Sequence, residues 1–433
     1  MNNKDKEPRS ARVQRPERHQ SEWSIVCLEE MLSPNHRVRL IWQYVESLDF
    51  SRAYQQIGAV RGGPGRTPVD PKLLLALWMF ATVEGISSAR HVARLCQRDL
   101  AYMWLCGGVG VNHHLLSDFR STNPELFDEL LSETVGTMIA QGLVKLDKVG
   151  QDGMRVRASA GSSSFERGEK LNESLQQAKK RVAELRAETD DPAVGEKSRS
   201  RSEAAQIRAA QERQQRIEDA LEQLEELKQR KEKRKKGSGE EARCSTTDPD
   251  ARKMKVASGG FRACYNVQFA TDGDARVIVE YDVINNGSDS GQMAPMHDKV
   301  HSRYGKLPLQ YLVDGGFTTH DDIGLLDQQG TVVYGPIPKK KKLIANGKDP
   351  YARQPKDSDA MFAFRQRMAT DEAKEIYSER PSIAEYPNAE CRNKGLQQFR
   401  VRGLERVKSS VLIDILTFNF MRWLNLTGTT VTI

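Results

Sequence analysis

Two aspartates stand where an apolar strand would not be expected to carry charge. Asp152 lies within the segment 148–157, KVGQDGMRVR, where β-branched residues alternate and the acid interrupts a predicted strand, with Gly153 beside it. Asp314 ends the apolar run 309–314, LQYLVD, and is followed by Gly315, Gly316 and Phe317. Burying an unpaired charge is costly, so an acid at the end of an apolar strand is poor core filler. The ordinary alternative is a turn aspartate ahead of Gly-Gly. Two such acids on adjacent strands of one sheet could share a divalent metal, because Mg²⁺ is held by a few carboxylates together with water and substrate phosphate. A third acid would have to come from a helix crossing the sheet. The segment 377–396, YSERPSIAEYPNAECRNKGL, offers Glu379, Glu385 and Glu390, interleaved with Arg380, Arg392 and Lys394. An exposed helix with i,i+4 charge pairs would show the same mixture. Charge pattern alone does not select among the three glutamates.

The elements that would hold these acids follow from periodicity. Strands are predicted at 146–158, 265–269, 277–283, 309–313 and 331–334, and helices at 292–304, 321–328, 372–379 and 396–423. Strands in succession followed by alternating helices argue for an α/β sheet domain over 146–433. Residues 22–145 read as all-helical. Leu40, Ile41, Val45 and Leu48 share one helix face, and Leu73, Leu74, Leu77 and Phe80 share another. Asp70 and Pro71 have the types of an N-cap and a first helical residue. The linker 61–68 separates the two helices. The segments 87–98 and 112–120, with Gly107 to Gly110 between them, resemble a helix-turn-helix unit. Trp78, Phe80 and Trp104 are read as core. His113 and His114 are adjacent, so they do not converge on one metal. Residues 1–21 read as a disordered basic arm without the apolar segment of a secretory signal.

A long insertion, 165–243, divides the α/β domain after its first strand. Leu171, Leu175, Ala178, Val182 and Leu185 are spaced alternately by four and three, and so are Ile207, Ala210, Gln214, Ile217, Leu221 and Leu224. With the turn-like segment 190–195 between them, they predict an antiparallel coiled-coil hairpin. Its second helix ends in the basic run 231–236, either a solvated helix end or a tip that contacts phosphate. The run Lys339 to Lys342 reads as a solvated loop suited to non-specific backbone attraction.

Composition sets the outer bounds. The chain has 433 residues, with 66 Lys and Arg against 59 Asp and Glu, a formal charge of +7. That balance makes polyanion partners more plausible than for an average protein. There is no apolar stretch of about 18 residues, so a membrane span is not expected. The six cysteines are scattered, without zinc-ligand or redox spacing. A reducing compartment and no structural metal are expected.

Taken together, the residues resemble the bacterial insertion-sequence DDE transposases that carry a helical N-terminal domain ahead of a ribonuclease-H-like catalytic domain. The resemblance runs from about residue 22 to 425. It rests on 34–42 through 62–66 and 70–78, on the first-acid strand 151–158, and on the second-acid strand 312–317. Some such families carry Tyr-x2-Arg-x3-Glu-x6-Lys around the third acid. Here Tyr377-x2-Arg380-x4-Glu385-x6-Arg392 departs twice: the Arg-to-Glu gap is one residue longer, and Arg392 stands for Lys. An arginine keeps a phosphate-binding cation at that position.

The resemblance implies Asp152, Asp314 and Glu385 as catalytic acids and metal ligands, with Asp152 bridging two Mg²⁺ ions and Mn²⁺ as a substitute. It also implies double-stranded DNA as partner, both the element's terminal inverted repeats and the target. The reaction the resemblance implies is phosphodiester cleavage followed by joining of the 3′-hydroxyl to target DNA, expected of a homodimer or larger oligomer in the bacterial cytoplasm, at the nucleoid. Arg155, Arg157, Tyr377, Arg380, Arg392 and Lys394 become candidates for DNA contact. The rival expectation is a domesticated or decayed DNA-binding protein without catalysis. The three acids, and a chain that reads as intact from Met1 through a C-terminal helix, argue against it.

Overall fold

Local capping chemistry starts most of the N-terminal helices. The computed structural model describes residues 27–58, 67–189, 201–257 and 259–429. The expected arm at 1–21, most of the linker at 61–68 and the turn at 190–195 lie outside the described residues. Helices α1 (Arg37–Ser47) and α2 (Ser51–Gln55) precede α3 (Pro71–Val83). The Asp70 carboxylate accepts from the Lys72 amide at 2.8 Å, with Pro71 at the first helical position. Ser88, Asp99 and Asn112 cap α4 (Ala89–Leu95), α5 (Leu100–Cys106) and α6 (His113–Thr122). Gly107, at φ 50°, closes α5, an element the sequence reading did not anticipate. Helix α7 (Pro124–Ala140) leads to the sheet. Trp78 and Phe80 are buried as expected, whereas Trp104 is half-buried and donates to Glu29.

Strand β1 (Lys148–Arg157) is the middle of a six-stranded mixed sheet. It runs unbroken through Asp152 and Gly153, because each pairs in register with β5 (Phe261–Asp272): Asp152 with Phe269 and Gly153 with Gln268. The expected interruption is absent for that reason. The short strands β2 (Phe165–Glu166) and β3 (Cys244–Ser245) pair with each other. Between them lie α8 (Gly168–Thr189) and α9 (Arg201–Arg234), with their own small core of Leu171, Ala178, Ile217, Ala220 and Leu224. The two helices run in opposite directions: Gly168 lies against Leu224, and Lys179 pairs with Glu218.

Strands β4 (Arg252–Lys255) and β6 (Ile278–Ile284) both pair antiparallel to β5. On the other side of β1, β7 (Gln310–Leu312) and β8 (Val332–Tyr334) add in parallel. Helices α10 (Met293–Tyr304) and α11 (His320–Gln328) make the crossovers that parallel pairing demands. Next come α12 (Lys340–Ala345), α13 (Asp359–Arg367), α14 (Asp371–Ser378), α15 (Tyr386–Asn393) and α16 (Leu404–Leu426). The lysine run expected as a loop thus opens α12. The helix expected from residue 396 begins only at Leu404. Gly395 and Gly403 both hold positive φ, and the stretch between them runs beside Arg157 at the end of β1.

Helix α16 is apolar around most of its circumference, as a helix buried on all sides must be. It packs on α3, α6, α7 and β6, so the helical region and the sheet share one continuous core. A charged clasp adds to this union: Arg303 on α10 bonds Asp128 on α7 at 2.7 Å and the buried Glu280 on β6 at 2.6 Å. Among the described residues no helix is long and apolar enough to cross a membrane.

Candidate active site

Side chains of β1 alternate between the two faces of the sheet. Gly150 and Asp152 face the segment that joins α14 to α15. A Cβ at Gly150 would lie 2.7 Å from Ile383 Cγ2, so glycine lets that segment sit directly on the strand. Asp152 then meets one side chain of that segment and one from the first turn of α15. Its Oδ1 lies 3.1 Å from Arg380 Nη2, and its Oδ2 accepts from Asn388 Nδ2 at 2.9 Å. Burial pushes the Asp152 carboxyl up to about 6; Arg380 opposes that shift and the charge of nearby Asp314 adds to it.

Asp314 sits just beyond the end of β7, half-buried, and its Oδ1 accepts from the Gly316 amide at 2.7 Å. Strand β7 pairs with β1 only as far as Gly150, so the flank of β1 at Asp152 is open toward Asp314.

Glu385 arrives through an unusual turn. Residues Pro381–Glu385 form a π-helical turn, closed by the Tyr386 amide donating to the Pro381 carbonyl. Proline explains the position: Pro381 and Pro387 have no amide hydrogen, so neither can give the i→i−4 bond of an α-helix. In an α-helix the partners on one face are i+3 and i+4. A π turn, bonded i→i+5, carries that face one residue further. Arg380 Nη1 therefore reaches Glu385 Oε1 at 2.7 Å. The longer Arg-to-Glu spacing seen in the sequence is absorbed here. Of the other glutamates, Glu379 is bound by Lys148 Nζ at 2.8 Å, and Glu390 makes no bond to the cluster.

Arg380 is thus a buried hub, 7% exposed, joined to Asp152 and Glu385, with its Nε unpartnered among the described residues. Tyr377 stands beside it, and burial, reinforced by Asp314, Glu385 and Asp152, holds its hydroxyl above the ordinary range. The remaining candidates for DNA contact are placed differently. Arg155 is half-buried, donating to Asp289 Oδ2 at 2.8 Å and to the Gly287 carbonyl at 2.9 Å. Arg157 and Arg392 are exposed. Lys394 lies away from the acids, lining a small cavity with Arg120 and Asp414. His113 and His114 stack on one another with ring centroids 4.1 Å apart.

The donor set suits a hard divalent cation. All three side chains offer carboxylate oxygens, and a bound cation would relieve both the burial of Asp152 and its repulsion with Asp314. Among the described residues no three acids, histidines or cysteines already converge as a metal site. Instead Asp152 feels the charge of Asp314, while Glu385 is held by Arg380.

Two neighbours of the acids escaped the sequence reading. Asn388 stands three residues after Glu385, a helical spacing that could have shown it. Asp289 lies in a polar loop without periodicity, yet it is buried and accepts from Asn266 at 2.7 Å and Gln268 at 2.8 Å.

Comparison with known families yields two matches. Residues 26–122 match the Transposase domain (DUF772) model, and residues 240–420 match the Transposase DDE domain model. Strand β1, with Asp152, lies outside the second match, cut off from it in sequence by the α8–α9 insertion, but it pairs with β5 inside that match. No curated protein and no solved structure matches the chain.

Proposed function

The chain belongs to the insertion-sequence DDE transposases, metal-dependent enzymes that cleave and join DNA, and on that premise we propose that Asp152, Asp314 and Glu385 are its catalytic acids. The observation that carries the assignment is the Arg380 guanidinium, bonded at once to Asp152 and Glu385 beside Asp314. These three acids would hold divalent metal, most simply Mg²⁺, which when bound would supply activation of the attacking oxygen and charge stabilisation of the leaving one.

The protein's own side chains then have distinct tasks. Asp152, within β1, and Asp314, just beyond the end of β7, would present oxygen ligands from neighbouring strands, and Asn388 orients the Asp152 carboxylate. Arg380 balances the charge of two acids, which lowers the repulsion an incoming phosphodiester would meet. The Tyr377 hydroxyl stays protonated and donates toward the DNA backbone. Arg157 and Arg392, being exposed, reach phosphates further out. No side-chain nucleophile is needed. The helical region reads the element's terminal inverted repeats, and α8 with α9 forms a coiled-coil arm. The reaction joins the freed 3′-hydroxyl to target DNA within a dimer or larger assembly at the bacterial nucleoid.

The test uses purified protein, a labelled duplex carrying the terminal repeat, a target plasmid and Mg²⁺ or Mn²⁺. Wild type should give metal-dependent end cleavage and joined product, and Asp152→Ala, Asp314→Ala and Glu385→Ala should each give neither. Activity surviving in Glu385→Ala would move the third acid to a neighbour. Specific binding of the ends without cleavage by wild type would make the chain a DNA-binding protein only.

A further inference from the structure

At the base of the helical insertion lies an open groove of about 920 Å³ that the acid cluster does not use. Its walls carry Arg230, Lys231 and Lys233 from the end of α9, Arg243 from the return to β3, and Lys253 from β4. Glu241 is the one acid among its lining residues. Several of these cations are not paired with an acid among the described residues. Lys231 Nζ donates to the Glu241 carbonyl, an uncharged partner, at 3.1 Å, and Lys253 Nζ sits 5.1 Å from the centre of the Phe165 ring. Lys233 and Arg243 have no ion-pair partner among the described residues. Phe261, at the start of β5, lies in the same groove with 63% of its surface exposed.

The groove is tied to the catalytic acids. Gly287 lines it, and the Gly287 carbonyl accepts from Arg155, three residues along β1 from Asp152. Arg155 also binds Asp289, whose carboxylate lies against Gly316, two residues beyond Asp314.

Uncompensated cations along a groove attract a phosphodiester backbone, and an exposed aromatic ring among them is a platform for an unstacked base. We infer that this groove holds the DNA strand flanking the scissile phosphate, with Lys231, Lys233, Arg243 and Lys253 on its phosphates and Phe261 against one of its bases. The inference rests on the transposase reading, and it gives the insertion a task in substrate binding through its base.

The experiment measures binding of the full-length protein to a fluorescent duplex with a single-stranded flank, across a series of salt concentrations. Each phosphate contact contributes about 0.7–0.9 to the slope of log affinity against log salt. Combining Lys231→Gln, Lys233→Gln, Arg243→Gln and Lys253→Gln should therefore reduce that slope by about 3. Phe261→Ala should weaken binding of the flanked duplex about tenfold and leave a fully paired duplex unaffected, with Phe261→Trp restoring the wild-type affinity. All five positions are exposed or half-buried, so circular dichroism and melting temperature should match wild type. A combined variant that binds with the wild-type slope and affinity, while wild type cleaves ends, would overturn the groove assignment alone. Wild type without salt-dependent DNA binding would overturn the transposase reading and the groove together.

Discussion

Arg380 and Glu385 pair at 2.7 Å across five residues, one more than an α-helical turn places on one face. The π turn between Pro381 and Glu385 makes that possible, and Arg380 extends the link to Asp152. Spacing in this stretch is therefore a functional variable. Deleting the exposed Ser382 should convert the turn to α-helical bonding, keep Arg380 and Glu385 on one face as i and i+4, and retain end cleavage. Inserting an alanine after Ser382 should turn Glu385 away and abolish it. Equal activity from the two variants would show that the pair does not matter.

Gly150 sets the distance between β1 and this turn. In Gly150→Ala the new methyl would meet Ile383 Cγ2 at 2.7 Å and the Ala384 Cβ at 3.3 Å, both within the segment that carries Glu385. Overpacking of this kind costs about 1–3 kcal/mol. The variant should fold with a lowered melting temperature and lose far more cleavage than DNA affinity. Wild-type turnover in Gly150→Ala would refute the tight seating of the turn.

Asp152 makes native stability depend on pH. Its carboxyl in the fold, at about 6, lies above the ordinary value of 3.8, chiefly through burial. Below about pH 4 both folded and unfolded chains hold the proton, and stability is undiminished. As pH rises the unfolded chain ionises first, so stability is lost between about pH 4 and 6, by roughly 3 kcal/mol in all. In chelator, Asp152→Asn should be more stable than wild type at pH 8 and equal to it near pH 4, while being inactive. Denaturant melts at the two pH values decide this, and a less stable Asp152→Asn at pH 8 would contradict it.

The clasp formed by Arg303 joins the helical region to the sheet. Removing it in Arg303→Ala leaves Glu280, whose side chain is 3% exposed, as a buried charge without its cation. Breaking a buried pair from one side costs about 3–5 kcal/mol. Adding Glu280→Gln should return part of that stability, because the stranded charge is gone. A single variant that melts like wild type would show that the clasp contributes nothing.

Much of the framework is legible along the chain. Capping by Asp70 and Pro71, the strands around Asp152 and Asp314, and the two amphipathic helices of the insertion are local matters of periodicity and propensity, which neighbouring residues suffice to express. The boundaries that were misjudged depend on distant contacts. Gly395 and Gly403 bound a stretch that lies alongside Arg157. Lys340 opens a helix where charge suggested a loop. Charge pattern did not choose which glutamate meets Arg380, because Glu379, Glu385 and Glu390 are chemically alike; only the family resemblance pointed to Glu385. The fold separates them: it turns Glu379 toward Lys148, carries Glu385 to Arg380 through a π turn, and leaves Glu390 apart. Asp289 belongs to the same class. Its burial beside Arg155, Asn266 and Gln268 arises only when β1, β5 and the loop after β6 come together, since a side chain's solvent exposure and partners are properties of packing rather than of spacing.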